Sequence, residues 1–125
     1  MTENELSFII RGCIFKVHKK LGPGLLESVY QMALAEELRL EGLEIEEQVP
    51  IGVVYQDKEQ AIGFKLDILV EKKVVIEIKS VEILLDVHHR QLITYLKLSG
   101  MKLGLLVNFN VPKVSKAIFR KVNNL

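Results

Sequence analysis

The sequence holds a single cysteine, Cys13, which excludes an internal disulfide and any zinc site built from cysteines. No stretch approaches the roughly 18 uninterrupted apolar residues that a membrane-spanning helix needs. The opening residues Met1-Thr2-Glu3-Asn4-Glu5 are acidic and polar, unlike a secretory signal. There is no internal repeat, no low-complexity tract and no linker-like segment. Gly22 and Gly24 are not followed by a GxxxxGK[ST] pattern, which excludes a P-loop. The expectation is a soluble cytoplasmic protein. Acid is also missing from one end: all 16 acidic residues lie at or before Asp86, and seven basic residues with no acid follow it. The net charge of +1 therefore conceals an acidic first part and a basic last part. Such asymmetry either marks a phosphate-facing side or is neutralised within the fold.

What is present suffices for a core. With 125 residues, 49% of them apolar, the chain is expected to form one domain over residues 1–125. Thr2 and Glu5 have capping-box spacing, and Leu6, Ile9, Ile10, Cys13, Val17 and Leu21 then repeat as a helical stripe. Gly22-Pro23-Gly24 ends that helix; a second is expected from about Leu25 to Glu41, stopped by Gly42. From Glu44 the period becomes two, giving a strand with Pro50 at an edge or bulge and a turn at Gln56-Asp57-Lys58. Ala61 to Val70 and Val74 to Ser80 read as two further strands. Asp86 is expected to cap a third helix ending at Gly100. Leu103 to Phe109 reads as a buried strand and Val114 to Val122 as another, so the element order is α-α-β-β-β-α-β-β.

The chemistry concentrates in one hairpin. Alternation puts Phe64, Leu66, Ile68 and Val70 on one sheet face, matched by Val74, Ile76 and Ile78. Asp67, Glu77 and Lys79 then share the opposite face. A loop of Glu71-Lys72-Lys73 sets Asp67 directly across from Glu77, with Cβ atoms ~5 Å apart. Two full charges at that separation repel by roughly 3 kcal/mol at an effective dielectric near 20. Lys65 and Lys79 offset part of this, and a divalent cation between the carboxylates would reverse its sign. The alternative is an ordinary solvated sheet face carrying alternating charges.

Asp67 followed ten residues later by Glu77-Ile78-Lys79 resembles the D…(D/E)xK signature of the PD-(D/E)XK nuclease superfamily. Gln91-Leu92-Ile93-Thr94-Tyr95 is similar to the QxxxY motif of its RecB-like branch. Gly24-Leu25-Leu26-Glu27-Ser28-Val29-Tyr30 resembles the name-giving motif of the GxxExxY family within that superfamily. The likeness extends over nearly the whole chain, and its one departure is Leu66 in place of a nominal proline. The resemblance implies an α/β, restriction-endonuclease-like core: a central mixed sheet of four to five strands flanked by helices. It implies that Asp67, Glu77 and the backbone carbonyl of Ile78 hold Mg²⁺ or Mn²⁺, with Lys79 beside the attacking water or scissile phosphate. Glu27 is a further metal or water contact on this reading, and Gln91, Tyr95 and Tyr30 meet substrate. His18 is an additional candidate ligand.

Each of these residues also has an ordinary explanation. Glu27 suits a first helical turn, where the helix dipole favours an acid. Tyr30 suits a core aromatic with a bonded hydroxyl, Gln91 and Tyr95 suit a helix surface, and His18 suits a basic helix end. The expected function is metal-dependent hydrolysis of nucleic-acid phosphodiesters, of DNA in preference to RNA. The competing expectation is a nucleic-acid-binding or protein-interaction module that keeps the scaffold without cutting. Cutting both strands of a duplex needs two sites, which would suit a homodimer; no residue pattern specifies one.

Overall fold

In the computed structural model, which describes residues 1–125 apart from the side chains of residues 61 and 62, three helices flank a five-stranded sheet. Helix α1 (Glu3–Leu21) begins at the expected capping box. Thr2 Oγ1 accepts from the Glu5 N–H at 3.1 Å, and the Glu5 carboxylate accepts from the Thr2 N–H at 3.0 Å. Leu6, Ile10, Cys13, Ile14 and Val17 form its buried stripe, while Leu21 is exposed. Helix α2 (Glu27–Leu40) starts two residues later than its periodicity suggests, because Leu26 is still extended. Gly42 follows with φ +82°, the left-handed conformation that suits a helix stop.

Strands β1 (Ile45–Tyr55), β2 (Lys58–Val70), β3 (Val74–Lys79), β4 (Leu103–Asn108) and β5 (Ile118–Val122) lie side by side in chain order. β3 and β4 are parallel, connected through helix α3 (Asp86–Ser99); every other neighbouring pair is antiparallel. Gln56 and Asp57 both take positive φ between Tyr55 and Lys58, which makes a two-residue hairpin turn whose twist matches its strands. β2 and β3 pair as Val70↔Val74, Leu69↔Val75 and Ile68↔Ile76, the register that the three-residue loop implies.

The sheet buries both faces. Ile68, Val70, Val74, Ile76, Ile78, Leu103, Leu105 and Val107 pack with the stripes of α1 and α2. Leu66, Leu69, Val75 and Leu106 pack with Leu92 and Leu96 of α3. A β-strand alternates its side chains strictly, so Leu66 should share a face with Ile68. It does not, and this corrects the expected placement of Phe64 and Leu66: Phe64 also meets α3, its ring 5.0 Å from that of Tyr95. The inversion falls at Asp67 in β2 and at its neighbour Gln48 in β1, whose φ of +51° breaks the extended run. Before Gln48, Ile45 belongs with the α1/α2 core; after it, Val49 and Ile51 pack toward α3.

Two further expectations are corrected. Leu85, not Asp86, precedes α3 as its extended cap residue; Asp86 is the first helical residue and pairs with Arg90 one turn on. The Leu85 N–H donates to His88 Nδ1 at 3.1 Å, the back-bond from the third helical residue to the cap N–H, and no cap side chain accepts from the first turn. Val114 to Val122 is a single 3-10 turn, Val114–Lys116, followed by the short β5.

Gly104 of β4 lets α3 settle on the sheet, since a Cβ there would lie 2.8 Å from Leu92 Cδ1. Gly104→Ala should therefore cost about 1–3 kcal/mol in urea denaturation. Pairing it with Leu92→Ala should recover part of the loss attributable to overpacking.

Candidate metal centre

Asp67 and Glu77 lie one step beyond the last paired residues of the β2–β3 ladder. There each carboxylate takes a backbone donor from the opposite strand. Glu77 Oε1 accepts from the Asp67 N–H at 3.2 Å, and Asp67 Oδ2 accepts from the Ile78 N–H at 2.8 Å. Asp67 Oδ1 accepts from the Gln48 side-chain amide at 3.3 Å. Glu77 is 6% exposed, the one buried acidic side chain among the described residues.

Burial raises both carboxyl groups above their ordinary range, Asp67 in spite of the hydrogen bonds from Ile78 and Gln48. Glu77 is pushed up to about 8, first by burial and then by the charge of Asp67, with the Asp67 N–H and Lys79 opposing. Burial and mutual repulsion therefore favour a shared proton over full ionisation of the pair. A divalent cation is the natural replacement: it takes oxygen ligands and offsets two charges where the proton offsets one. The donor set fits Mg²⁺ or Mn²⁺. The N–H and C=O of one strand residue point toward the same neighbour, so the Ile78 carbonyl is directed to the Asp67 side as well. Among the described residues no third Asp, Glu, His or Cys joins the two acids.

The other expected residues divide into two groups. Lys79 lies two residues beyond Glu77 on the same face, half-buried, and its charge acts on both acids. Glu27 opens α2 and accepts from the Ser80 N–H at 3.2 Å, while Ser80 Oγ donates to the Leu25 carbonyl at 2.5 Å. These bonds bring the start of α2 against the end of β3. Tyr95 stands near the acids, and its phenol is raised by burial and then by Glu77 and Asp67. Gln91, one turn earlier on α3, is exposed.

Tyr30 and His18 are placed elsewhere. Tyr30, expected as a substrate contact, is fully buried and stacks on Phe109 with ring centroids 4.4 Å apart. Its hydroxyl donates to the Gly22 carbonyl at 2.5 Å and accepts from the Leu25 N–H at 3.2 Å. Its work is to hold the loop that presents Glu27. His18 uses Nε2 on the Val111 carbonyl at 2.8 Å.

Two contributors are not apparent from the motifs. Gln48 bonds to Asp67, and Asn108 secures the segment after Lys79. Asn108 is 3% exposed; its side chain donates to the Val81 carbonyl at 2.9 Å and accepts from the Val81 N–H at 3.1 Å. The Phe109 N–H adds a bond to the Lys79 carbonyl at 2.9 Å. A polar residue inside the apolar run Leu103 to Phe109 was the available signal for Asn108. For Gln48 no pattern stood out.

The family model described as the PD-(D/E)XK nuclease superfamily matches residues 4–122. The crystal structure of SSO0001 is similar at a TM-score of 0.59 and 26% identity, covering 78% of this chain. The match spans 50% of that chain, so SSO0001 is about half accounted for by the likeness. It supports a restriction-endonuclease-like architecture here. A search of curated proteins finds no match.

A carboxyl whose folded pKa exceeds its unfolded value of 4.5 binds its proton more tightly when folded. Its contribution to stability is greatest at low pH and declines as pH rises from about 4.5 through about 8. In metal-free buffer Glu77→Gln should therefore raise Tm, by little at pH 5 and more at pH 8.5. Each kcal/mol recovered corresponds to roughly 3–6 °C in thermal denaturation.

Proposed function

The chain belongs to the PD-(D/E)XK nuclease superfamily, and on that premise we propose that it is a divalent-metal-dependent nuclease of the RecB-like, GxxExxY kind. Residues 1–125 act as one domain, and the substrate is nucleic acid, DNA in preference to RNA. The observation that carries the proposal is the buried Glu77 held against Asp67 by reciprocal bonds to backbone N–H groups, with Lys79 on the same face.

Asp67, Glu77 and the Ile78 carbonyl would hold Mg²⁺ or Mn²⁺. When bound, the metal lowers the pKa of water and neutralises charge on the phosphate. Lys79 supplies a fixed positive charge beside the phosphate oxygens, where negative charge grows as the phosphorus–oxygen bond is attacked. Glu27 orients water at the start of α2, while Tyr95 and Gln91 meet substrate from α3. The basic residues after Asp86, among them Lys97, Lys102, Arg120 and Lys121, guide the phosphate backbone toward the site. Action on both strands of a duplex calls for two copies, which a homodimer would provide, and the setting is cytoplasmic. No helix among the described residues is long and apolar enough to cross a membrane.

One observation favours the second reading, a binding module that does not cut: among the described residues only two acidic side chains meet at the site. The experiment that separates the readings is cleavage of labelled single-stranded, duplex and branched DNA and RNA with Mg²⁺, Mn²⁺ or EDTA. Cutting in Mg²⁺ or Mn²⁺ should vanish in EDTA and fall by at least ~100-fold in both Asp67→Asn and Lys79→Ala. Folded protein that binds nucleic acid without metal, cuts nothing and is indifferent to Lys79→Ala would establish the binding module instead.

A further inference from the structure

We propose that Gln48 is a positioning residue for Asp67, its side-chain amide fixing the carboxylate in the orientation that receives a divalent cation; the inference rests on Asp67 being a metal ligand. Gln48 sits in β1 beside Asp67, at the position where both strands exchange faces. Its φ of +51° is a conformation that L-residues other than glycine and asparagine rarely take. Glycine would serve the backbone better. A long amide at such a position needs a reason in its side chain, and strained backbone collects at functional sites.

The side chain supplies one. Gln48 Nε2 donates to Asp67 Oδ1 at 3.3 Å and to Gln31 Oε1 of α2 at 2.7 Å. Gln31 Nε2 donates in turn to Glu47 Oε1 at 3.2 Å, and Glu47 Oε2 accepts from Arg39 at 3.1 Å. The relay begins at Glu47, whose ionised carboxylate pairs with Arg39 and can only accept. Glu47 therefore draws the amino group of Gln31, which leaves the Gln31 oxygen facing Gln48. That oxygen draws the amino group of Gln48, the group that also reaches Asp67. The direction of every amide in the chain is thus determined by chemistry.

With Oδ2 held by the Ile78 N–H, the Gln48 bond to Oδ1 fixes the carboxylate plane from both sides. Each oxygen keeps a lone pair for a cation. Gln48 is neutral, so it orients Asp67 without adding a positive charge that would compete with the metal. Outer partners of this sort commonly hold a ligand in place for metal binding.

Two variants test the proposal, each measured for Mn²⁺ affinity by titration calorimetry, for metal-free Tm and for cleavage rate. Gln48→Gly removes the amide and suits the backbone; Gln48→Met keeps the length and removes the donor. Positioning requires both to lose Mn²⁺ affinity by about 10–100-fold, although Gln48→Gly keeps or raises Tm. If Gln48 serves only the backbone, Gln48→Gly keeps wild-type Mn²⁺ affinity and cleavage, which overturns the inference. Asp67→Asn runs alongside: unchanged Mn²⁺ affinity there would remove the proposed ligand itself. Loss in Asp67→Asn with full retention in Gln48→Gly would defeat the Gln48 role alone.

Discussion

The structure is organised around a repulsion that the fold does not avoid. Two carboxyl groups stand opposite each other at the end of the β2–β3 ladder, and one of them is buried. Each is tied to a backbone N–H of the other strand, so the acids take over donors at the point where the strand pairing stops. Moving either side chain would leave a backbone donor without its acceptor, at a cost of about 1–3 kcal/mol. The pair is therefore held rigidly in an arrangement that is unfavourable when both acids are ionised. Such a site favours positive charge placed between the two acids.

The surrounding elements secure that arrangement from two directions. β4 fixes the segment after Lys79 through Asn108 and the Phe109 N–H. α2 reaches Ser80 through Glu27, and its Tyr30 pins the loop between α1 and α2. Gly24 gives that loop its φ of +94°. The G-x-x-E-x-x-Y spacing thus has a physical meaning in this chain. The glycine makes the turn, the tyrosine clamps it from within the core, and the glutamate between them faces outward onto β3.

Much of this was legible in the sequence because it is local. The capping box at Thr2, the loop of Glu71 to Lys73 and the ten-residue separation of Asp67 from Glu77 each depend on nearby residues. The register of β2 and β3 follows from the loop length alone. What stayed hidden depends on alternation being broken. A reading that counts every second residue carries Leu66 and Phe64 onto the face of Ile68, and nothing in the letters of Gln48 or Asp67 announces the inversion. Tyr30 was misplaced for a related reason: a motif shows which residues belong together, not which one points inward. Asp86 looked like a cap by residue type, whereas the extended residue before the helix is Leu85, whose N–H donates back to His88.

β1 is an outer strand of the sheet, and it is 11 residues long. An outer strand of that length offers a free ladder of N–H and C=O groups on which another chain can build. The left-handed kink at Gln48 and the missing N–H of Pro50 interrupt that ladder near its middle, and Glu46 and Glu47 add charge beside the break. The residue that reaches inward to Asp67 therefore also shapes the molecule's outer boundary. A segment smoothed into regular strand would gain a sticky edge, so resistance to fibrillar self-association and the aim of one carboxylate are set by the same peptide.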